Sequence, residues 1–146
     1  MTSRHLPDEN ALGFLFADIT RLMRRHFQAL DSDSGLTYSQ ARVLVNIARL
    51  EGRRQVELAD VMEIQPITLA RLIDQLQAQS LVERRPDPKD RRAHRLYVTE
   101  AAAGPLQEIR KLGQSVYDRM LQGLDTPQRD ALMSALKLIR GNLITD

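Results

Sequence analysis

The sequence predicts a mainly α-helical protein that carries one small β-hairpin. Hydrophobic residues make up 42% of the chain and aromatic residues only 4%, a balance that favours helices over a β-sandwich or barrel. Apolar residues recur at helical spacing along most of the 146 residues. Two short runs with β-branched or aromatic members, residues 81–86 and 95–99, break this pattern. We therefore predict the order α-α-α-α-β-β-α-α, and we allow for a short extra strand before the third helix.

The first two predicted helices are amphipathic. The first runs from about Asn10 to Leu30, and the segment DSDSG ends it. The second starts after Thr37, because Thr37 followed three residues later by Gln40 is a capping box. Its apolar stripe consists of Val43, Leu44, Ile47 and Leu50, and the segment EGRR closes it.

The third and fourth helices form a helix-turn-helix pair. A short helix in VELADVM is followed by a longer one that begins near Pro66, since proline suits the first helical turn. Leu69, Leu72, Ile73 and Leu76 share one face of the fourth helix and are predicted core. Off that face lie polar residues that suit base edges and phosphates: Gln65, Thr68, Arg71 and Gln75. An ordinary solvated helix face has the same composition, so this pattern alone leaves both interpretations open.

The predicted hairpin carries an excess of positive charge. Residues 84–95 contain six Lys or Arg against two Asp, a surplus larger than the net +2 of the whole chain. Mutual repulsion gives such crowding no benefit in folding, whereas DNA phosphates and a narrow minor groove attract it. The alternative is a solvated charge run. Because the run follows a helix-turn-helix, we favour a winged helix-turn-helix that binds DNA.

The C-terminal third contains two more amphipathic helices. One carries the stripe Leu106, Ile109, Leu112, Val116, Met120 and Leu124, and the other, after Thr126 as cap and Pro127, carries Leu132, Leu136, Ile139 and Leu143. A winged helix of about 65 residues offers too little surface for three terminal helices. We therefore expect dimerisation regions at 1–34 and 100–146, flanking a DNA-binding domain at 35–99. The alternative is an intramolecular helical cap.

Catalysis and cofactors find no support in the sequence. There is no cysteine, the three histidines (His5, His26 and His94) lie far apart, and the seven glycines form no phosphate-binding loop. We therefore expect no enzyme, no metal and no cofactor. No apolar run is long enough to span a bilayer, and the start MTSRHLPDENALG lacks a secretory core. A soluble, cytoplasmic protein is the expectation.

These motifs resemble the MarR-type winged helix-turn-helix regulators, and among them the SlyA branch. The similar segments are LTYSQARVL, ELADVMEIQP, LARLIDQLQ and, most specifically, LVERRPDPKDRRAHRLYVTE, since the wing of that family typically reads Asp-Pro-x-Asp-Arg-Arg. The resemblance implies that Arg71 contacts DNA with support from Thr68 and Gln65. It further implies that Arg92 enters the minor groove beside Arg91 and that Asp90 braces the loop through a salt bridge. His94 either contacts phosphate or is an exposed histidine without a role.

The resemblance also implies a homodimeric repressor that reads a pseudo-palindromic double-stranded operator. A small anionic or aromatic effector would release it from a cleft between the dimer helices and the winged helix. Candidate lining residues are Phe14, Phe16, Arg21, Arg24, His26 and Tyr38, although each alone also suits a core or interface position. The alternative function is a winged-helix protein-interaction module without specific DNA binding.

Two positions depart from the pattern of the family. Ser80 stands where a glycine usually ends the recognition helix, so either Ser80 adopts a left-handed conformation at some cost or the helix ends differently. After Thr99 the chain reads EAAAGP, with Gly104 and Pro105 later than the usual glycine, and the proline is expected to kink or delay the next helix.

Overall fold

A computed structural model of the chain describes residue 8 and residues 11–30 and 33–144. The helices are α1 (Leu12–Ala29), α2 (Tyr38–Arg49), α3 (Gln55–Met62), α4 (Pro66–Ala78), α5 (Ala103–Met120) and α6 (Thr126–Leu143), and the strands are β1 (Val82–Pro86) and β2 (His94–Val98). This order confirms the predicted fold class. His5 and the predicted first residue of α1, Asn10, lie outside the described residues.

Local sequence signals set the helix starts. The Thr37 side chain accepts a hydrogen bond from the Gln40 backbone at 3.2 Å, and the Gln40 side chain accepts one from the Thr37 backbone at 3.0 Å, so the predicted capping box is present. Pro66 begins α4 as predicted. At α6 the predicted cap is wrong by one residue: Asp125, not Thr126, caps the helix, because its carboxylate accepts from the Gln128 backbone at 2.9 Å.

The two strands form an antiparallel hairpin that packs against α2, α3 and α4. Val82 pairs with Val98 at its base and Pro86 with His94 at its outer end. Arg54 forms a single bridge with Arg95 immediately before α3, which is the extra strand allowed for in the sequence. The hairpin is therefore held at one edge by the residues that lead into the helix-turn-helix.

The hydrophobic core belongs to the winged helix. Its buried residues come from α2, α3, α4, the hairpin and the segments that flank them, and they are Leu36, Val43, Leu44, Ile47, Leu58, Ala59, Met62, Leu69, Ile73, Leu76, Leu81, Val82, Leu96 and Ala102. Of the four α4 residues predicted as core, Leu69, Ile73 and Leu76 are fully buried and Leu72 is half-buried. The core thus fixes α4 with its opposite face towards solvent.

Ser80 adopts the left-handed conformation, with φ of 61°. The Leu81 amide donates to the Leu76 carbonyl at 3.0 Å and the Ser80 amide donates to the Gln77 carbonyl at 2.9 Å, which is the Schellman pattern. Leu81 and Leu76 are both buried beside this turn. The first of the two alternatives for Ser80 is therefore the one observed, and the turn leads directly into β1.

The terminal helices bury little of their apolar surface. A 3₁₀ turn, Glu100–Ala102, precedes α5, so Pro105 falls in the first turn of that helix rather than inside it. Neither α1 nor α6 contains a buried residue, whereas α5 buries Gly113 and Val116. Among the helices of the described residues, none combines the length and apolar character needed to cross a bilayer.

Candidate nucleic-acid interface

The exposed face of α4 presents hydrogen-bonding groups to solvent. All four polar residues predicted on this face are exposed: Gln65, Thr68, Arg71 and Gln75. Arg71 makes no side-chain hydrogen bond or ion pair with any other described residue. Gln75 is engaged, because its Oε1 accepts from Nε2 of Gln40 at 3.0 Å. On this face, the polar side chains nearer the start of α4 are therefore less engaged within the described chain than Gln75.

Ile67 is a candidate contact that the sequence analysis missed. It lies at the second position of α4, between Gln65 and Thr68, and 81% of its surface is exposed. An apolar side chain at the end of a recognition helix suits contact with a thymine methyl group. The sequence did contain a signal for this contact. Ile67 lies outside the Leu69–Ile73–Leu76 stripe, and an isoleucine on the polar face of the helix calls for an explanation other than core packing.

Three cations at the tip of the hairpin have free side chains. Lys89, Arg91 and Arg92 are exposed, and within the described part of the chain none of their side chains donates to a carboxylate or carbonyl. The predicted salt bridge from Asp90 is not formed with any of the described residues. The Asp90 carboxylate instead accepts from the Arg92 backbone amide at 3.0 Å, and its carbonyl accepts from the Ala93 amide at 3.0 Å, so it shapes a tight turn.

The ionic brace of the hairpin is Asp87. Its side chain is fully buried, and one carboxylate oxygen accepts from Nε of Arg54 at 2.8 Å and from Nε of Arg95 at 3.0 Å. The other oxygen accepts from the Lys89 amide at 2.8 Å. This backbone hydrogen bond, together with the two arginines, lowers the pKa of Asp87 to about 2 in spite of burial. Asp87 thus locks the hairpin to the residue that precedes α3.

Arg84 joins the hairpin to α4. Its guanidinium donates to Gln77 at 2.8 Å, to the Ala70 carbonyl at 3.2 Å and to Gln55 at 3.1 Å, and it pairs with Asp74 at 2.7 Å. These partners lie on two different helices. A planar guanidinium with five donors satisfies such a set, so Arg84 fixes the angle between hairpin and recognition helix.

Arg85 is also committed within the chain. It pairs with the Glu83 carboxylate and stacks over the Tyr97 ring, 3.8 Å from the ring centroid. Three of the six cations in the basic run, Arg84, Arg85 and Arg95, therefore have intramolecular partners. This corrects the expectation that folding gives no reason for this charge.

His94 lies at the outer end of the hairpin. It is exposed as the first residue of β2, opposite Pro86. It lines two shallow hollows, one with Gln55 and Arg84 and the other with Arg54 and Arg92. The imidazole therefore stands between the hairpin tip and the start of α3, on the surface that also carries Arg92.

Most of the residues predicted to line an effector cleft lie outside the cleft that the structure contains. A cleft of about 800 Å³ lies between α1, α2 and α5, and Tyr38 is the only one of the six candidates that lines it. Phe14, Phe16, Arg21, Arg24 and His26 lie on α1 outside the lining, because the turn of α1 that faces the cleft carries Phe27, Gln28 and Leu30. The cleft is also lined by Arg42, Arg110 and Tyr117, which the sequence analysis did not identify.

Apolar side chains of α1 and α6 point to solvent. Their exposed members are Leu12, Phe14, Leu15, Phe16, Ile19 and Leu22 on α1 and Leu132, Met133, Leu138 and Leu143 on α6. Scattered exposed hydrophobics are ordinary, but two long helices without a buried residue are not. These faces form the terminal apolar surface of the chain.

The fold and this surface define a winged helix, with α4 as the recognition helix and the hairpin as the wing. Residues 34–93, which include α2, α3, α4 and most of the wing, match the MarR family. A HTH-type transcriptional regulator of Bacillus subtilis, YybA, itself uncharacterized, is 27% identical over 136 residues, covering 88% of this chain and 91% of that protein. A crystal structure of MarR superposes with a TM-score of 0.78 at 25% identity, covering 97% of this chain and 94% of the other.

Two further solved structures bear on the site. Escherichia coli MarR C80S complexed with operator DNA has a TM-score of 0.68 and 26% identity, covering 88% of this chain and 92% of that one. SlyA has a TM-score of 0.70 and 25% identity, covering 88% and 91%, so SlyA is among the structural neighbours together with MarR. Over the winged helix and in its fold, this chain is therefore similar to MarR-type transcriptional regulators, and the relatives it matches are regulators rather than enzymes.

Proposed function

We propose that this regulator binds double-stranded DNA, with α4 in the major groove and the wing tip on the minor groove. The observation that carries the proposal is the wing tip, where Lys89, Arg91 and Arg92 have no partner within the described chain although neighbouring arginines do. Unpaired cations on a rigid support suit phosphates, whose neutralisation releases counterions. The candidate residues of the DNA-binding site are Gln65, Thr68, Arg71, Gln75, Asp90, Arg91, Arg92 and His94. Asp90 shapes the tip rather than meeting an anion.

The proposed binding unit is a cytoplasmic homodimer. The unburied apolar faces of α1 and α6 support this, since a second copy of the same surface would remove both from water. Residues 1–34 and 100–146 then form the dimerisation regions and residues 35–99 the DNA-binding domain. Two recognition helices related by a two-fold axis would read a pseudo-palindromic operator, with half-sites about one helical turn apart.

We further propose a repressor that a small anionic or aromatic ligand releases. The cleft between α1, α2 and α5 supports this, because it joins terminal helices to the winged helix and has a mainly apolar lining with two arginines. A ligand that prefers one spacing of the two recognition helices would shift the dimer towards that spacing. The structure of E. coli MarR complexed with operator DNA is a precedent for DNA binding, and not for release by a ligand.

The test is fluorescence anisotropy of purified protein with labelled DNA from upstream of its own gene, against a random duplex, at several salt concentrations. We expect preference for the upstream DNA and affinity that falls steeply with salt. Arg71→Ala should weaken binding by about tenfold and relax base preference, as expected for a base-edge contact. Equal affinity of Arg71→Ala and wild type for every duplex would remove Arg71 from the interface.

The second candidate function is a winged-helix protein-interaction module. The observation in its favour is the partial use of the basic run inside the fold, which reduces the charge left for DNA. Such a module would not need the wing-tip cations. Wild-type protein that binds neither duplex at low salt would favour it over the DNA-binding proposal.

A further inference from the structure

Ile67 is the most exposed large hydrophobic side chain among the described residues. Ile64, three residues earlier, packs against the core, whereas Ile67 belongs neither to the core nor to the residues packed against it in the described chain. Ile67 also lies outside the lining of the cleft and of the two hollows beside the wing. Core packing therefore does not account for an isoleucine at this position.

The first turn of α4 holds Ile67 in a fixed place. Pro66 begins the helix with a restricted backbone angle, and the Leu69 amide donates to the Gln65 carbonyl at 3.0 Å, which closes the turn. Leu69 is fully buried and anchors this turn in the core. A β-branched side chain in a helix keeps one strongly preferred rotamer. Ile67 therefore presents its methyl groups in one direction and loses little conformational entropy when another molecule covers them.

The residues beside Ile67 indicate which kind of molecule covers it. Thr68 is the next residue, Arg71 lies one turn further along on the face of Ile67, and both are exposed. An apolar protein surface would bury the Arg71 guanidinium without a partner, which is costly. The major groove of DNA instead offers acceptors for an arginine and one apolar group, the C5 methyl group of thymine. An isoleucine and an arginine on one helix face therefore favour the edges of base pairs.

We infer that Ile67 recognises the C5 methyl group of a pyrimidine in the major groove, so that the preferred DNA site carries a thymine beside the start of α4. Uracil differs from thymine only by this methyl group, and 5-methylcytosine differs from cytosine by the same group at the same place. Ile67 therefore favours thymine over uracil and 5-methylcytosine over cytosine. The inference rests on the proposed function, because it takes α4 as the helix in the major groove. It adds the chemical group that is selected and the residue that selects it.

The experiment uses the full chain and a duplex that the wild-type protein selects from a pool of random sequences. Synthetic versions of this duplex carry uracil in place of single thymines, and cytosine or 5-methylcytosine at the same positions. Fluorescence anisotropy gives the affinity of each version for wild type, Ile67→Ala and Thr68→Ser. Thr68→Ser removes the neighbouring methyl group and keeps the hydroxyl. The control is Val61→Ala, which shortens an exposed apolar side chain of α3, outside the recognition helix.

We expect uracil at one position to weaken wild-type binding by about fourfold, the effect of one methyl group left in water. At that position 5-methylcytosine should bind about fourfold more tightly than cytosine. Both ratios should fall below about twofold in Ile67→Ala and persist in Val61→Ala and Thr68→Ser, whatever the affinity of each variant. Each ratio compares duplexes that differ by one methyl group, so general effects of a variant cancel. Because Ile67 is exposed, the Tm of Ile67→Ala should stay within about 2 °C of wild type.

Three outcomes would overturn the inference. Equal wild-type affinity for thymine and uracil at every position means that no methyl group is recognised, and it leaves the proposed function standing. A preference for thymine that persists in Ile67→Ala assigns the recognition to DNA shape or to another residue, and its loss in Thr68→Ser identifies Thr68. Wild type that selects no sequence from the random pool contradicts the proposed function together with this inference. In that case an exposed Ile67 suits the protein-interaction module.

Discussion

The two strands and the tip of the wing carry similar charges and have opposite surroundings. On the strands, Arg84, Arg85 and Arg95 each have a carboxylate partner within 4 Å. At the tip, Lys89, Arg91 and Arg92 have none within the described chain. In the sequence the six residues form one run. The structure divides them into cations that hold the wing and cations left for a partner, so charge density alone does not identify a binding surface.

The largest expected effect is at Asp87, which follows β1 and pairs with Arg95. Asp87→Ala removes a buried carboxylate that accepts from Arg54, Arg95 and the Lys89 amide, and leaves two guanidinium groups without their partner. We expect Tm to fall by roughly 10 °C in calorimetry at fixed protein concentration. Asp90→Ala is the control, because Asp90 is exposed and forms no ion pair in the described chain. A loss of Tm in Asp90→Ala as large as in Asp87→Ala would contradict the division between residues that hold the wing and residues left for a partner.

The same residue predicts a pH dependence. Folding lowers the pKa of Asp87 from 3.8 to about 2, so the folded state favours the ionised form. Its contribution to stability is complete above pH 4 and disappears as the pH falls through 2. The Tm difference between wild type and Asp87→Asn should therefore be constant from pH 5 to 8 and shrink below pH 4. A difference that persists undiminished at pH 2 would show that packing, rather than charge, explains the effect of this residue.

At the tip we expect a smaller effect, on DNA affinity rather than on stability. Arg92→Ala should weaken DNA binding by about tenfold and reduce the slope of log affinity against log salt by about one, because one phosphate contact is lost. Its Tm should stay within about 2 °C of wild type, since the side chain has no partner inside the described chain. Arg95→Ala should lower Tm as well as affinity. Full DNA affinity in Arg92→Ala would remove Arg92 from the DNA interface.

The sequence predicts local features well and long-range pairing poorly. The Thr37 cap, the Pro66 helix start and the buried stripe of α4 depend on residues within one or two turns, and all are confirmed. Asp87 was missed as the brace, because one of its partners, Arg54, lies 33 residues earlier and no local pattern links them. Asp90, nearer the tip, was chosen in its place.

The cleft shows the same limit. Helical periodicity identifies which side chains share a face, but not which faces of separate helices meet. Phe14 and Phe16 were therefore as good candidates as Phe27, although only Phe27 lines the cleft. Arg42 was not considered, since the Met62 carbonyl to which its side chain donates lies 20 residues away.

The smallest expected effect concerns the turn at the foot of the wing. Ser80 holds φ at 61°, where a Cβ costs energy, while its carbonyl accepts from the Thr99 hydroxyl at 2.6 Å. Ser80→Gly removes the Cβ and keeps that backbone contact, at the cost of a more flexible unfolded chain. We expect a net gain of about 0.5 kcal/mol in the free energy of unfolding, or about 2 °C in Tm.

The matched control for this variant is Gln79→Gly, at the preceding residue, where φ is −87° and the glycine relieves nothing. It should lower Tm, since the entropic cost remains and the Gln79 side chain no longer donates to the Gln75 carbonyl. Because Ser80→Gly leaves the backbone path from α4 to β1 unchanged, DNA affinity should stay within twofold of wild type. Lower stability in Ser80→Gly would mean that the serine side chain stabilises this turn. A change in affinity without a change in stability would mean that the turn controls where the tip cations meet DNA.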